Sequence, residues 1–170
     1  MKKLVILLIL LAAVLFTAGC TEKNRENYTN SEVSLEKNAI VKVTQLEQIN
    51  TSLQNGPVFV KIGAKWCPTC RSMKPILEKL AAEYRGKATI ASVDVDQSPE
   101  LAEYFGVKAI PDSFVTVGIE NGKYVYMQEN GNVSTDRSQA RIIGLNESDE
   151  KVFEKVLDLA LLQEEKDKSK

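Results

Sequence analysis

Beyond residue 38 the hydrophobic positions change period repeatedly, and each change marks a new element. Ala39–Val43 reads as a short strand. Thr44 is placed to cap a helix carrying Leu46, Ile49 and Leu53 at helical spacing, and Asn55-Gly56-Pro57 stops it. Val58-Phe59-Val60-Lys61-Ile62 is nearly all apolar, as in a strand covered on both faces, and Lys61 is its one interruption. Met73, Ile76, Leu77, Leu80, Ala81 and Tyr84 predict a long helix ending at Gly86. Thr89–Val95 is the next strand, and Ser98-Pro99 opens a helix through Leu101, Ala102 and Phe105 that Gly106 closes. Ser113–Val117 and Lys123–Met127 form a hairpin across Glu120-Asn121-Gly122, an Asn-Gly turn signal. Gln128–Gln139 is polar and reads as a loop or ragged extension. Asn146 or Ser148 caps a last helix with Val152, Phe153, Val156, Leu157 and Ala160 on one face, and residues 165–170 read as a solvated, charged tail. The order βαβαβαββα is that of an α/β domain, here residues 38–164.

The pattern before this domain is different. A basic start, Met1-Lys2-Lys3, leads into an apolar run from Leu4 to Phe16 and then Thr17-Ala18-Gly19-Cys20, the layout of a secretory signal over residues 1–19. The run is shorter than the ~20 residues that cross a bilayer as a helix. Its ending resembles a lipoprotein signal box, with Thr17 standing where leucine is usual. That resemblance implies that Cys20 becomes the first mature residue and carries lipid. The alternative is an uncleaved N-terminal membrane anchor with Cys20 a bystander. Either way the domain is expected at the extracytoplasmic face of the cell membrane. Residues 20–37 are polar and without period, a flexible tether spanning about 20–25 Å root-mean-square.

Composition narrows the function. Of 170 residues, 44% are hydrophobic and 26% charged, the balance of a globular protein with room for one domain beside an export segment and linker. The formal net charge is −1, and loss of Lys2 and Lys3 would make the mature chain more acidic. Nucleic-acid binding, which needs clustered basic surface, is not expected. The chain contains no histidine. This removes the base of a Ser-His-Asp or Cys-His hydrolase, the usual zinc ligands and the Cys-x-x-Cys-His of covalent haem. Three cysteines, one assigned to lipid, are too few for a four-thiolate metal site within one chain. Neither metal nor cofactor is expected. Four Asn-x-Ser/Thr sequons, at Asn27, Asn50, Asn132 and Asn146, are a weak signal.

Chemistry concentrates at Cys67-Pro68-Thr69-Cys70, between a buried strand and a helix. Unpaired N–H groups and the positive dipole end at a helix start favour thiolate over thiol. The spacing lets the sulfurs bridge, so that a mixed disulfide formed at one is released by the other. Pro68 falls where a missing N–H costs little. A structural disulfide and half of an intermolecular zinc site are the bland alternatives, and the flanking residues decide between them.

The run Ala64-Lys65-Trp66-Cys67-Pro68-Thr69-Cys70-Arg71-Ser72-Met73-Lys74-Pro75-Ile76-Leu77 resembles the active-site stretch of the thioredoxin family, an apolar strand followed by Ala-x-Trp-Cys-x-x-Cys-Arg/Lys-x-x-x-Pro-x-Leu. Val93-Asp94-Val95-Asp96 with Pro99-Glu100-Leu101-Ala102 resembles the family's second βα unit. Tyr104-Phe105-Gly106-Val107-Lys108-Ala109-Ile110-Pro111 resembles its approach to a cis-proline, and Gly144 matches a family glycine. The resemblance implies a thioredoxin fold, with a central mixed β-sheet flanked by helices. It implies a monomeric thiol:disulfide oxidoreductase acting on thiols and disulfides of exported proteins, or on a membrane or extracytoplasmic redox partner. Cys67 would be the exposed nucleophile, Cys70 the buried resolving thiol and Trp66 a flat wall beside them. Ile110 and cis Pro111 would face the sulfurs, the Ile110 backbone pairing with an extended client segment. Pro75 would kink the active-site helix. Three departures modulate the thiols: Lys61 replaces the family's buried aspartate, Pro68-Thr69 replaces Gly-Pro, and Asp112 follows the proline where threonine is usual. A charged Lys61 would make the pair more oxidising. The competing class is a binding module of the same fold with idle cysteines.

Overall fold

The structure, a computed structural model, describes residues 40–146 and 148–169; the signal segment 1–19, Cys20 and the tether 20–37 lie outside them. Its strands are β1 Val41–Lys42, β2 Val58–Gly63, β3 Thr89–Asp94, β4 Asp112–Glu120, β5 Lys123–Met127, β6 Val133–Ser134 and β7 Ile142–Ile143. Its α-helices are α1 Leu46–Leu53, α2 Pro68–Ser72, α3 Lys74–Glu83, α4 Pro99–Tyr104 and α5 Asp149–Lys168, with a 3₁₀ turn at Arg137–Gln139. The strands form one mixed sheet in the order β1-β3-β2-β4-β5-β6, with β7 also on β4. β1 and β2 run parallel to β3, whereas β4 is antiparallel to β2, β5 and β7.

Every residue of β2 is buried, and its side chains go alternately to two cores. Phe59 packs with Ile90, Val115 and Ile142 beneath Leu77 and Leu80 of α3 and Phe153 and Leu157 of α5. Val58, Val60 and Ile62 pack with Ala91, Val93 and Phe114 beneath Ile49 of α1 and Leu101 of α4. The β4–β5 turn has positive φ at both Asn121 and Gly122, the backbone that the Asn-Gly pair predicts.

Several boundaries differ from expectation. β1 is only Val41–Lys42. The N-cap of α1 is Gln45 rather than Thr44, because the Gln48 side-chain Oε1 accepts the N–H groups of both Thr44 (2.7 Å) and Gln45 (3.0 Å). The active-site helix is two helices with Met73 between them. Pro75 has no N–H for the carbonyl of Arg71, so the ladder breaks there. The stretch expected as a loop or ragged extension holds β6, which extends the sheet beyond β5, and the 3₁₀ turn. The charged end is exposed as expected but helical to Lys168, supported by Gln163–Asp167 and Glu164–Lys168 contacts at i,i+4 spacing.

Candidate active site

β2 ends at Gly63, and the chain turns through Ala64, Lys65 and Trp66 to Cys67, the N-cap of α2. Cys67 and Cys70 are joined in a disulfide with Cα atoms 5.2 Å apart. The Cys70 N–H donates to Cys67 Sγ (3.2 Å), so the first sulfur occupies the place of a capping oxygen. Pro68 opens the helix, and it and Thr69 are exposed at its tip. The exposed nucleophile expected at Cys67 is not seen in this oxidised form. Cys67 is 5% exposed and Cys70 4%, because the bridge draws both sulfurs against Ala64 and Ile110. What separates the two is their partners.

Trp66 is 63% exposed, and its Nε1–H donates to Asp96 Oδ2 (2.9 Å). Arg71 Nη1 donates to the carbonyls of Lys65 and Trp66 (both 3.0 Å), pinning the loop to the helix it precedes. The Ile110–Pro111 bond is cis. The Pro111 carbonyl accepts the Gly144 N–H (2.8 Å), and Gly144 has φ of 86°. Ile110 lies against the disulfide and makes no backbone hydrogen bond among the described residues, so its peptide edge is open to another chain.

Behind the disulfide lies Lys61, 7% exposed and two residues before Gly63 on the same strand face. A Cβ on Gly63 would sit 2.5 Å from Lys61 Nζ and 2.7 Å from Cys70 Sγ. Amine and sulfur are therefore separated by no more than the sum of those two distances, across a gap that only glycine leaves open. Burial lowers the pKa of Lys61 below its ordinary value, and the carboxylate of Asp94 opposes this in part. A cavity of about 410 Å³ opens here, lined by Lys61, Gly63, Cys70 and Asp94 among others.

Asp112 does not join the thiols. It is fully buried, and its carboxylate accepts Arg137 Nη1 (2.9 Å), Arg137 Nη2 (3.1 Å) and Arg141 Nη2 (2.7 Å). The Arg137 guanidinium also lies over the Phe114 ring, 5.1 Å from its centroid. A buried carboxylate needs such partners, and these two arginines occupy both of its oxygens. Neither was singled out from sequence: Arg137 sits in the polar stretch Gln128–Gln139, and Arg141 lies just beyond it. Gly63 carried a signal, a glycine closing a buried strand just before the motif. The fold thus brings Lys61 and Ile110 to the Cys67–Cys70 pair, with Trp66 and cis Pro111 next to them in the chain, commits Asp112 to two arginines, and leaves Cys20 outside the described residues.

Comparison with known proteins gives a consistent picture. The sequence profile described as Thioredoxin matches residues 39–140. A thioredoxin from Staphylococcus aureus is 42% identical over 77 residues, which are 45% of this chain and 73% of that protein. Mitochondrial thioredoxin 3 from Saccharomyces cerevisiae, in its oxidised form, superposes with a TM-score of 0.52 at 27% identity, over 72% of this chain and 96% of that one. A mutant thioredoxin from Halobacterium salinarum shares the fold with a TM-score of 0.55 at 21% identity, over 74% of this chain and 93% of that one.

Proposed function

The chain belongs to the thioredoxin family, and we propose that it is a membrane-tethered oxidoreductase that exchanges disulfides with exported proteins through Cys67 and Cys70. Protein-disulfide oxidoreductase activity follows from family and redox pair together. The observation that carries the exchange order is the Cys70 N–H on Cys67 Sγ at the start of α2, a contact that favours negative charge on that sulfur. In reduction, Cys67 thiolate attacks a client disulfide, and one client sulfur leaves with the electron pair. Cys70 thiolate then attacks Cys67 Sγ, the Cys67–client bond breaks, and the second client sulfur leaves as thiolate. The client disulfide is reduced and the Cys67–Cys70 pair is oxidised. The reverse sequence oxidises a client dithiol. The open peptide edge of Ile110 beside the disulfide supports docking of an extended client strand, and exposed Trp66 supplies a flat apolar wall. Residues Leu4–Cys20 support export and a lipid anchor on Cys20, with an uncleaved anchor as the alternative.

The test is insulin reduction by dithiothreitol, with client trapping. Wild type should accelerate insulin reduction and Cys67→Ser should not. Cys70→Ser should accumulate long-lived mixed disulfides through Cys67, while Cys67→Ser traps almost none. Equal insulin rates in wild type and Cys67→Ser would favour the binding module with idle cysteines. Equal trapping by the two variants would reverse the exchange order.

A further inference from the structure

We propose that Lys61 is the proton acceptor for Cys70, and that the cavity behind Cys70 is where this proton exchanges with water. The assignment rests on the exchange order given above, in which Cys70 resolves the mixed disulfide.

Four observations carry it. Lys61 is 7% exposed, yet its amine makes no hydrogen bond or ion pair among the described residues. Burial without a hydrogen-bond partner disfavours the ammonium relative to an exposed lysine, and the neutral amine is a base. Second, the amine and Cys70 Sγ meet across Gly63, within reach directly or through one water. Third, Lys61 belongs to a polar row that crosses an otherwise apolar sheet. Lys42 of β1 pairs with Ser92 of β3, Ser92 with Lys61, and Lys61 with Ser113 of β4. Residues paired in register share a face. The row runs from exposed Lys42 through half-buried Ser92 to Lys61 and Ser113, whose buried hydroxyl has no partner among the described residues. Fourth, Lys42, Ser92, Lys61 and Cys70 all line the same cavity of about 410 Å³.

The charged residues that line the cavity with Lys61 are Lys42 of β1, Asp94 of β3, Lys65 before α2, Arg71 of α2 and Lys74 of α3. Burial disfavours the ammonium, and the Asp94 carboxylate opposes this in part. Asp112, the other buried group near the motif, is held by Arg137 and Arg141.

During resolution Cys70 S–H gives its proton to the Lys61 amine, which becomes ammonium. The Cys70 thiolate attacks Cys67 Sγ, the Cys67–client bond breaks, and the client sulfur leaves with the electron pair. Ammonium then returns its proton to cavity water. In the opposite direction an incoming thiolate attacks Cys67, Cys70 leaves as thiolate, and the Lys61 amine takes a proton from cavity water and passes it to Cys70.

The experiment mixes reduced protein with one equivalent of dithiobis(nitrobenzoate) and follows the two successive releases of nitrothiobenzoate across pH. The first reports attack by Cys67, the second resolution by Cys70. Lys61→Met removes base and charge together. Lys61→Arg places a fixed positive charge there but cannot accept a proton. We expect a first release that changes little and a second that slows about tenfold at neutral pH in both variants. That is less than the usual general-base contribution of about 10²–10⁴, because a thiol ionises unaided near pH 8.5. The deficit should close in alkali. Lys61→Met, which preserves the length of the stem, carries the test if the larger guanidinium is not accommodated. A second release at the wild-type rate in Lys61→Arg would overturn proton transfer in favour of a purely electrostatic effect. A wild-type rate in Lys61→Met would overturn any role. A first release that survives Cys67→Ser at the wild-type rate would overturn the exchange order and the assignment with it.

Discussion

Lys61 occupies a position where a carboxylate and an amine have opposite consequences. Reduction of the disulfide creates a thiol beside the amine, and transfer of its proton yields a thiolate–ammonium pair that the oxidised form lacks. The pair favours reduction, so Lys61→Met should shift the potential of Cys67–Cys70 to more negative values, and Lys61→Asp further still. Each unit of thiol pKa is worth about 30 mV for this two-electron couple. Potentials read against a glutathione buffer check the order, and three equal values would contradict it. Stability carries a second signature. Burial depresses the Lys61 pKa from 10.5, so at pH values between the folded and unfolded pKa the unfolded chain binds a proton that the fold sheds. Wild-type stability therefore rises with pH through that window. Lys61→Met should be the more stable protein below it, with an advantage that fades as pH approaches 10.5. Denaturant midpoints of both oxidised proteins across alkaline pH measure this; an advantage growing with pH would contradict the sign.

Among the elements, the short segment from β6 to β7 matters more than its length suggests. It brings Arg137 and Arg141 onto Asp112, the first residue of β4 and the neighbour of cis Pro111, while β7 pairs with Asp112 and Ser113. The segment thus braces the start of β4, which follows cis Pro111. Removing one side of a buried pair leaves the other charge uncompensated, which costs about 3–5 kcal/mol. Arg137→Ala should lose about that much in chemical denaturation, and Arg137→Lys should recover only part of it, since a lysine cannot fork across both carboxylate oxygens. A loss below about 1 kcal/mol in Arg137→Ala would show that Arg141 alone satisfies Asp112. The break at Met73 acts at the same scale. By ending α2 after five residues it separates the dithiol turn from α3, whose Met73-flanked start, Leu77 and Leu80 face the core.

For the whole molecule, no helix among the described residues is long and apolar enough to cross a membrane; the proposed attachment is carried by the segment ending at Cys20. Wild type should partition with membranes and incorporate radioactive lipid, and Cys20→Ser should lose the label. Unlabelled wild type that stays membrane-bound would support the uncleaved anchor instead. By itself the sequence determined the order of the main strands and helices, the hairpin turn and the dithiol with its flanks. These are written in contiguous spacing: a period of two or 3.6, an Asn-Gly pair, two cysteines three apart. The tertiary structure alone decided which groups meet around that dithiol. The partners of Asp112 lie 25 and 29 residues away in a stretch without period. Lys61 reaches Cys70 only because Gly63 leaves the gap and parallel pairing with β3 aligns Ser92 and Asp94 on the same face. Contacts of that kind depend on strand register and on how helices close over the sheet, which leave no trace in the spacing of neighbouring residues.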